Sequence, residues 1–219
     1  MSIAKEGFYI IGVFGALAAV LVFISFLTGN TIVKIFTVVS FILFILVVFF
    51  FRDPERNIPQ KENVVIAPAD GKIILIEEVD DNEYLNNKAK IVSIFMTVFN
   101  VHINRVPITG TVEYLKYNKG KFLPAFTEES SLKNENYAVG ISNGHQKVLF
   151  RQIAGLIAQR IVNNLKLNQS VKAGQRFGMI KFGSRVDIIM PFSTQISVSL
   201  NQKVKGGETI IGVINNEKN

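Results

Sequence analysis

The chain has 219 residues, no cysteine, two histidines and almost no charge in its first fifty positions. Without cysteine there is no disulfide framework and no thiolate metal site, which agrees with a reducing compartment. The two histidines, His102 and His145, come with no H-E-x-x-H pattern. They leave too few ligands for a catalytic zinc centre, so no metal is expected. Tracts of interleaved basic and aromatic residues, Gly-rich RNA motifs and helix-turn-helix patterns are missing, so nucleic acid is not the expected partner. Low-complexity segments are missing too.

What the first fifty residues do have is apolar length. Residues 8–28 (FYIIGVFGALAAVLVFISFLT) are uncharged, and residues 32–51 carry only Lys34 near their start. Each run has about the 20 residues a helix needs to cross a bilayer. Gly29, Asn30 and Thr31 between them form a breaker cluster suited to a tight helical hairpin. The first run is longer than the apolar core of a signal peptide, and Ala16-Leu17-Ala18 lies inside it rather than after it. The expectation is a transmembrane hairpin over 1–51 followed by a domain over 52–219. Lys5 precedes the first span, and Arg52, Arg56 and Lys61 follow the second. The positive-inside rule then puts both ends, and the domain, on the cytoplasmic side of the cell membrane.

The formal charge of the chain is +7, and Lys5, Glu6 and Lys34 are the only charges before Arg52. The hairpin thus holds +1 of that charge, and the remaining +6 falls on the domain. A basic domain tethered to a bilayer is attracted to anionic headgroups. Its sequence turns to short runs rich in Ile, Val, Phe and Thr, bounded by Gly, Pro, Asn or Asp: 64–66, 72–76, 91–98, 109–117, 147–152 and 187–190. Ile153, Leu156, Ile157 and Ile161 stand at helical spacing and form a helix candidate. Val171-Lys172-Ala173-Gly174, followed by Gly178 and Ile180, is echoed by Val204-Lys205-Gly206-Gly207, followed by Gly212 and Ile214. Each copy reads as a turn and a short strand, as in the small β-sandwiches of lipoyl and biotinyl carriers. The expected class is mainly β, a compact sandwich or barrel-like domain with one or two helices, behind the hairpin.

Three segments carry candidate chemistry. In Phe182-Gly183-Ser184-Arg185 the Ser184 hydroxyl can add to the Gly183 carbonyl, because glycine leaves the approach open. The amide becomes an ester, and elimination leaves dehydroalanine, which hydrolyses to ammonia and an N-terminal pyruvoyl ketone. His102, directly after an apolar strand, has a side chain suited to proton transfer near neutrality. Asp70, in Pro68-Ala69-Asp70-Gly71, is either an ordinary hairpin-turn residue or a carboxylate that orients an imidazole. His145 lies in the turn Ser142-Asn143-Gly144-His145 and is assigned no role.

The segments 67–72 (APADGK), 99–105 (FNVHINR), 120–122 (GKF), 153–158 (IAGLIA) and 177–187 (FGMIKFGSRVD) together resemble phosphatidylserine decarboxylase proenzymes of the short, membrane-anchored type. The resemblance runs through nearly all of the domain, and the last segment is its most specific part. It implies that Asp70 orients His102 and that His102 activates Ser184 for cleavage at Gly183–Ser184. The products would be a long chain, 1–183, and a short chain, 184–219, starting with a pyruvoyl cofactor made from Ser184. That group would form a Schiff base with phosphatidylserine and act as electron sink while carbon dioxide leaves, giving phosphatidylethanolamine. His102 would protonate the former α-carbon.

Lys181 and Arg185 flank the cleavage bond, as ligands of the substrate carboxylate or phosphate or as solvated strand charges. Phe122, Leu123, Pro124 and Phe126 follow Gly120-Lys121 and either meet the lipid or pack as a loop. A homo-oligomer is compatible with all of this, and the sequence leaves that state open. The competing reading is a membrane-tethered, non-catalytic β-sandwich carrier or adaptor. It lacks the Met-Lys-Met-like hairpin of a carrier and has no use for the serine segment.

Overall fold

The computed structural model describes residues 2–120, 134–155, 161–180 and 184–215. The chain divides into two units, Met1–Glu55 and Arg56–Asn219. In the first, strand β1 (Ser2–Ile3) precedes helices α1 (Phe8–Thr28) and α2 (Thr31–Phe50), and strand β2 (Arg52–Asp53) returns to pair with β1. Asn30 caps α2 by accepting the Ile32 N–H at 2.8 Å. The helices meet along small residues: Gly15 lies against Phe44, Ala18 and Ser40 are buried, and the Thr37 hydroxyl donates to the Leu21 carbonyl at 3.1 Å. Their large apolar side chains face outward, Phe26 at 87% and Phe36 at 61% exposure. Residues Lys5–Thr28 and Thr31–Phe50 are long and apolar enough to cross a membrane.

The second unit is built from strands. They are β3 (Val64–Ile66), β4 (Gly71–Asp81), β5 (Asn87–Met96), β6 (Ile103–Arg105), β7 (Gly110–Asn118), β8 (Asn136–Ser142) and β9 (Lys147–Ala154). Then follow β10 (Ile161–Asn163), β11 (Ser170–Val171), β12 (Arg176–Ile180), β13 (Ser184–Pro191), β14 (Thr194–Ile196), β15 (Lys203–Val204) and β16 (Ile210–Ile214). One large sheet has the order β11-β7-β8-β9-β13-β5-β4-β15, and two small ones are β10-β12-β6 and β14-β16-β3. Val92, Ile94, Val186 and Ile188 of the large sheet share one core with Val65, Ile211, Phe177 and Ile180 of the small ones. The mainly β class is therefore as expected.

Among its described residues this unit contains no helix. The helical spacing of Ile153, Leu156, Ile157 and Ile161 does not become one helix through all four. Ile153 is buried in β9 and Ile161 opens β10, so pairing to β13 and β12 overrides the spacing at both ends. Leu156 and Ile157 lie outside the described residues.

The strand order is a palindrome. Reading outward from the β9–β13 pair, β8 answers β5, β7 answers β4 and β11 answers β15, while the two small sheets answer each other. The first half is β3–β5 with β13–β16, and the second half, β6–β12, is inserted between β5 and β13. Register carries the match to single residues. Irregularities at Ile73/Leu75 and Val112/Tyr114 coincide, as do those at Arg176/Gly178 and Ile210/Gly212. Pro68-Ala69-Asp70-Gly71 matches Pro107-Ile108-Thr109-Gly110, and Leu167-Asn168-Gln169 matches Leu200-Asn201-Gln202.

The V-K-x-G repeat belongs to this duplication. Gly174 and Gly207 take the same left-handed conformation, φ 79° and 82°, which a side chain would oppose. Each turn is held by the same kind of bond. The Gly206 N–H donates to Asp70 Oδ1 at 2.8 Å, and the Ala173 N–H donates to Thr109 Oγ1 at 3.0 Å.

Candidate active site

Ser184 is the first residue of β13, a strand held on both sides. It pairs across to Met96 at the end of β5 and to Ala154 at the end of β9. Alternation along β13 sends Val186, Ile188 and Met190 into the main core, and Ser184 shares their face. Ser184 is fully buried, and its Oγ has no hydrogen-bond partner among the described residues.

His102 stands just before β6 and is fully buried. The duplication relates it to Ser184. In the second half, the register Ser142↔Lys147 answers Phe95↔Arg185, so Gln146 is the counterpart of Ser184. Asn63, just before β3, is the counterpart of His102. Gln146 Nε2 donates to Asn63 Oδ1 at 2.8 Å. The scaffold thus brings these two positions, one from each half, within hydrogen-bond reach where both carry amides.

Asp70 lies at the same end of the large sheet, just before β4, whose Lys72 pairs with Phe95. Its carboxylate accepts from Arg56 at 2.8 and 2.9 Å and from the Gly206 N–H at 2.8 Å. Those bonds hold Asp70 here.

Arg185 is not brought to Ser184. As the next residue on the strand it faces the other side of the sheet, where Nε donates to Asp187 Oδ1 at 2.5 Å and a terminal nitrogen to Ser93 Oγ at 2.8 Å. Alternation along the strand therefore places the Arg185 side chain on the face opposite Ser184. Gly183, Lys181, Phe122 and Phe126 lie outside the described residues.

Three residues that sequence reasoning missed line the site. Asn104, two positions after His102 on β6, accepts from Gln152 Nε2 at 2.7 Å, and Gln152 Oε1 accepts from Asn163 Nδ2 at 3.1 Å. Asn104 and Gln152 are fully buried. Gln152 faces Val186 across the strands and so shares the face of Ser184. The available signal was the polar alternation His102-x-Asn104 running into a strand.

A buried serine hydroxyl and a buried imidazole at the end of a β-scaffold are the ingredients of a serine-based catalytic centre. A family profile described as phosphatidylserine decarboxylase matches residues 43–212. A phosphatidylserine decarboxylase proenzyme of Chlorobium phaeobacteroides is 51% identical over 185 residues, covering 84% of this chain and 82% of its own. Proteins of the same name from Cytophaga hutchinsonii and Carboxydothermus hydrogenoformans are 43% and 44% identical, covering 96% of this chain and 98% and 95% of theirs. The chain belongs to the phosphatidylserine decarboxylase family, a family of enzymes.

Proposed function

We propose that the protein is a self-processing, pyruvoyl-dependent decarboxylase that converts phosphatidylserine to phosphatidylethanolamine and carbon dioxide. The observation that carries this reading is the buried Ser184 hydroxyl, with no partner among the described residues, at a position whose counterpart bonds to the counterpart of His102. In maturation His102 takes the hydroxyl proton as Oγ bonds to the Gly183 carbonyl carbon, and the carbonyl π pair moves onto its oxygen. When that pair returns, the C–N bond breaks and the Ser184 nitrogen takes a proton, leaving an ester and a free amine. Loss of the Ser184 α-proton then expels the 183 carboxylate and leaves dehydroalanine. Its imine tautomer takes up water and releases ammonia, giving the ketone. Asp70 is the acid member of the set, supplying negative charge from its place between Arg56 and Gly206.

The residues present fit a pyruvoyl group at position 184. The neighbours Met96, Ala154 and Asn104 carry no primary amine that would condense with a ketone. Such a group supplies the carbonyl for Schiff-base chemistry with the substrate amine and a sink for the electrons that carbon dioxide leaves behind. His102 then holds the proton destined for the former α-carbon. Burial of the position excludes bulk water from competing for that carbon.

Cleavage need not release the short chain, 184–219, because β13 lies between β9 and β5 in the large sheet. The two membrane-length helices and the domain's positive charge support work at an anionic membrane surface, and the flanking Lys and Arg support the cytoplasmic side. Lys181 is assigned to the substrate headgroup and Phe122 and Phe126 to the lipid. Cyanoborohydride reduction in the presence of phosphatidylserine tests the reading. Lipid should become fixed to the short chain, and lipid fixed only to a lysine of the long chain would contradict it.

A further inference from the structure

The duplication isolates what the second half has added to the scaffold. Asn104 corresponds to Val65, since each faces the matched glycine, Gly178 or Gly212. Asn163 corresponds to Ile196 by the same two glycines, and Gln152 corresponds to Met190 through the matched registers of β9 and β13. The second half therefore carries three amides, Asn104 and Gln152 buried and Asn163 half-buried, where the first has Val, Met and Ile. Val65 and Met190 are fully buried, as Asn104 and Gln152 are. The scaffold stands with apolar side chains at these positions, so folding does not call for the amides.

The amides are also oriented, and the orientation starts from a group that cannot flip. The backbone N–H of Leu165 donates to Asn163 Oδ1 at 2.9 Å. That turns Asn163 Nδ2 to Gln152 Oε1, which turns Gln152 Nε2 to Asn104 Oδ1. Asn104 Nδ2 is left as the donor at the end of the chain. Its partner among the described residues is the thioether of Met96 at 3.9 Å, a weak acceptor. Met96 is the cross-strand partner of Ser184, and directly paired residues share a face. A buried, pre-oriented N–H therefore ends beside Ser184 with no strong acceptor among the described residues.

Building on the self-processing reading, we infer that Asn104 is a catalytic oxyanion donor, with Gln152 and Asn163 as its positioning residues. As Ser184 Oγ bonds to the carbonyl carbon attached to its own nitrogen, the π pair gathers on that oxygen and the hydroxyl proton passes to His102. The Asn104 N–H is a fixed dipole for the developing charge, and no reorganisation is required at that moment. A thioether is easily exchanged for such an acceptor, because little is lost when the weak contact breaks.

The test grafts the other half's residues onto this one in the full-length chain. Asn104→Val, Gln152→Met and Asn163→Ile are combined, so that no amide is left without its partner. The triple variant should melt at or above the parent temperature, yet cleave about 10²–10³-fold more slowly, the loss typical of one missing oxyanion donor. Gln152→Met alone keeps the Asn104 amide but frees it to turn, and should slow cleavage by less. A triple variant that folds and cleaves at the parent rate overturns the inference. So does one that no longer folds, since the amides would then be a structural need. A parent chain that never cleaves would instead sink the self-processing reading itself.

Discussion

The two halves of the β unit share one plan and differ at one junction. In the second half, β8 runs into β9 through the turn Asn143–Gln146, where the Asn143 side chain accepts the His145 and Gln146 N–H groups at 3.1 and 2.8 Å. Its counterparts in the first half, β5 and β13, have no such turn. The whole second half is inserted there, and the chain re-enters the sheet at Ser184. Where the hairpin's Gln146 bonds to Asn63, the corresponding positions hold Ser184 and His102, each pair taking one residue from each half. On the proposed function, reactivity resides in a few replacements at a junction the fold already supplied.

Exchanging residues between corresponding positions is the strongest way to break this comparison. Ser184→Ala should abolish cleavage, and His102→Ala should slow it by about 10²–10⁴-fold, the usual worth of a general base. At the matched positions, Gln146→Ala and Asn63→Ala should each cost about 1 kcal/mol of stability and leave the cleavage rate unchanged. Denaturing gels and thermal melts measure both. Normal cleavage without the imidazole would remove His102 from its role.

Asp70 and Thr109 give a finer comparison. Both hold a V-K-x-G turn, but only Asp70 carries charge, shared with Arg56. Asp70→Asn keeps an acceptor for Gly206 and should still slow cleavage about tenfold or more through the lost charge. Thr109→Ala should cost about 1 kcal/mol and nothing in cleavage rate. If Asp70→Asn matures at the parent rate, Asp70 is a turn residue like Thr109.

The smallest effect belongs to a link between the halves. On the outer face of the large sheet Tyr84 donates to Glu113 at 2.9 Å and Tyr114 to Glu83 at 3.0 Å, with the rings 5.8 Å apart. Burial, helped by the carboxylate each phenol donates to, raises the Tyr84 pKa and pushes Tyr114 up to about 12. A phenol with a raised folded value stabilises fully below its unfolded pKa of about 10, and that contribution fades as pH climbs past it. Melting temperature should therefore fall above pH ~10, and less steeply in a Tyr114→Phe variant. An unchanged slope would remove this pair from the account.

Much of the fold was legible in local pattern. The runs at 64–66, 72–76, 109–117 and 147–152 fall on β3, β4, β7 and β9, because β-branched residues and alternating burial are local signals. The V-K-x-G echo was legible for the same reason, whereas the P-x-x-G match at Pro68 and Pro107 was missed, four residues being too few to stand out unaided. Short strands such as Ile103–Arg105 and Ile161–Asn163 carry amides in place of apolar residues, so their pattern does not read as strand. Ser184, His102 and Asp70 stand out in the sequence as candidates by residue type and segment. The Asn104–Gln152–Asn163 chain was not, since it joins β6, β9 and β10 only through long-range pairing. Arg185 is next to Ser184 in sequence, and its place on the opposite face of the sheet is set by strand alternation.

The most direct test of the self-processing claim is the mass and N-terminus of the C-terminal fragment from purified full-length protein. The account predicts a fragment spanning 184–219 that is lighter by one ammonia than the serine-ended peptide. Lacking a free amine, it should resist stepwise N-terminal sequencing. A fragment that begins with an intact serine, or a chain that stays whole under conditions where it is folded, would contradict the account.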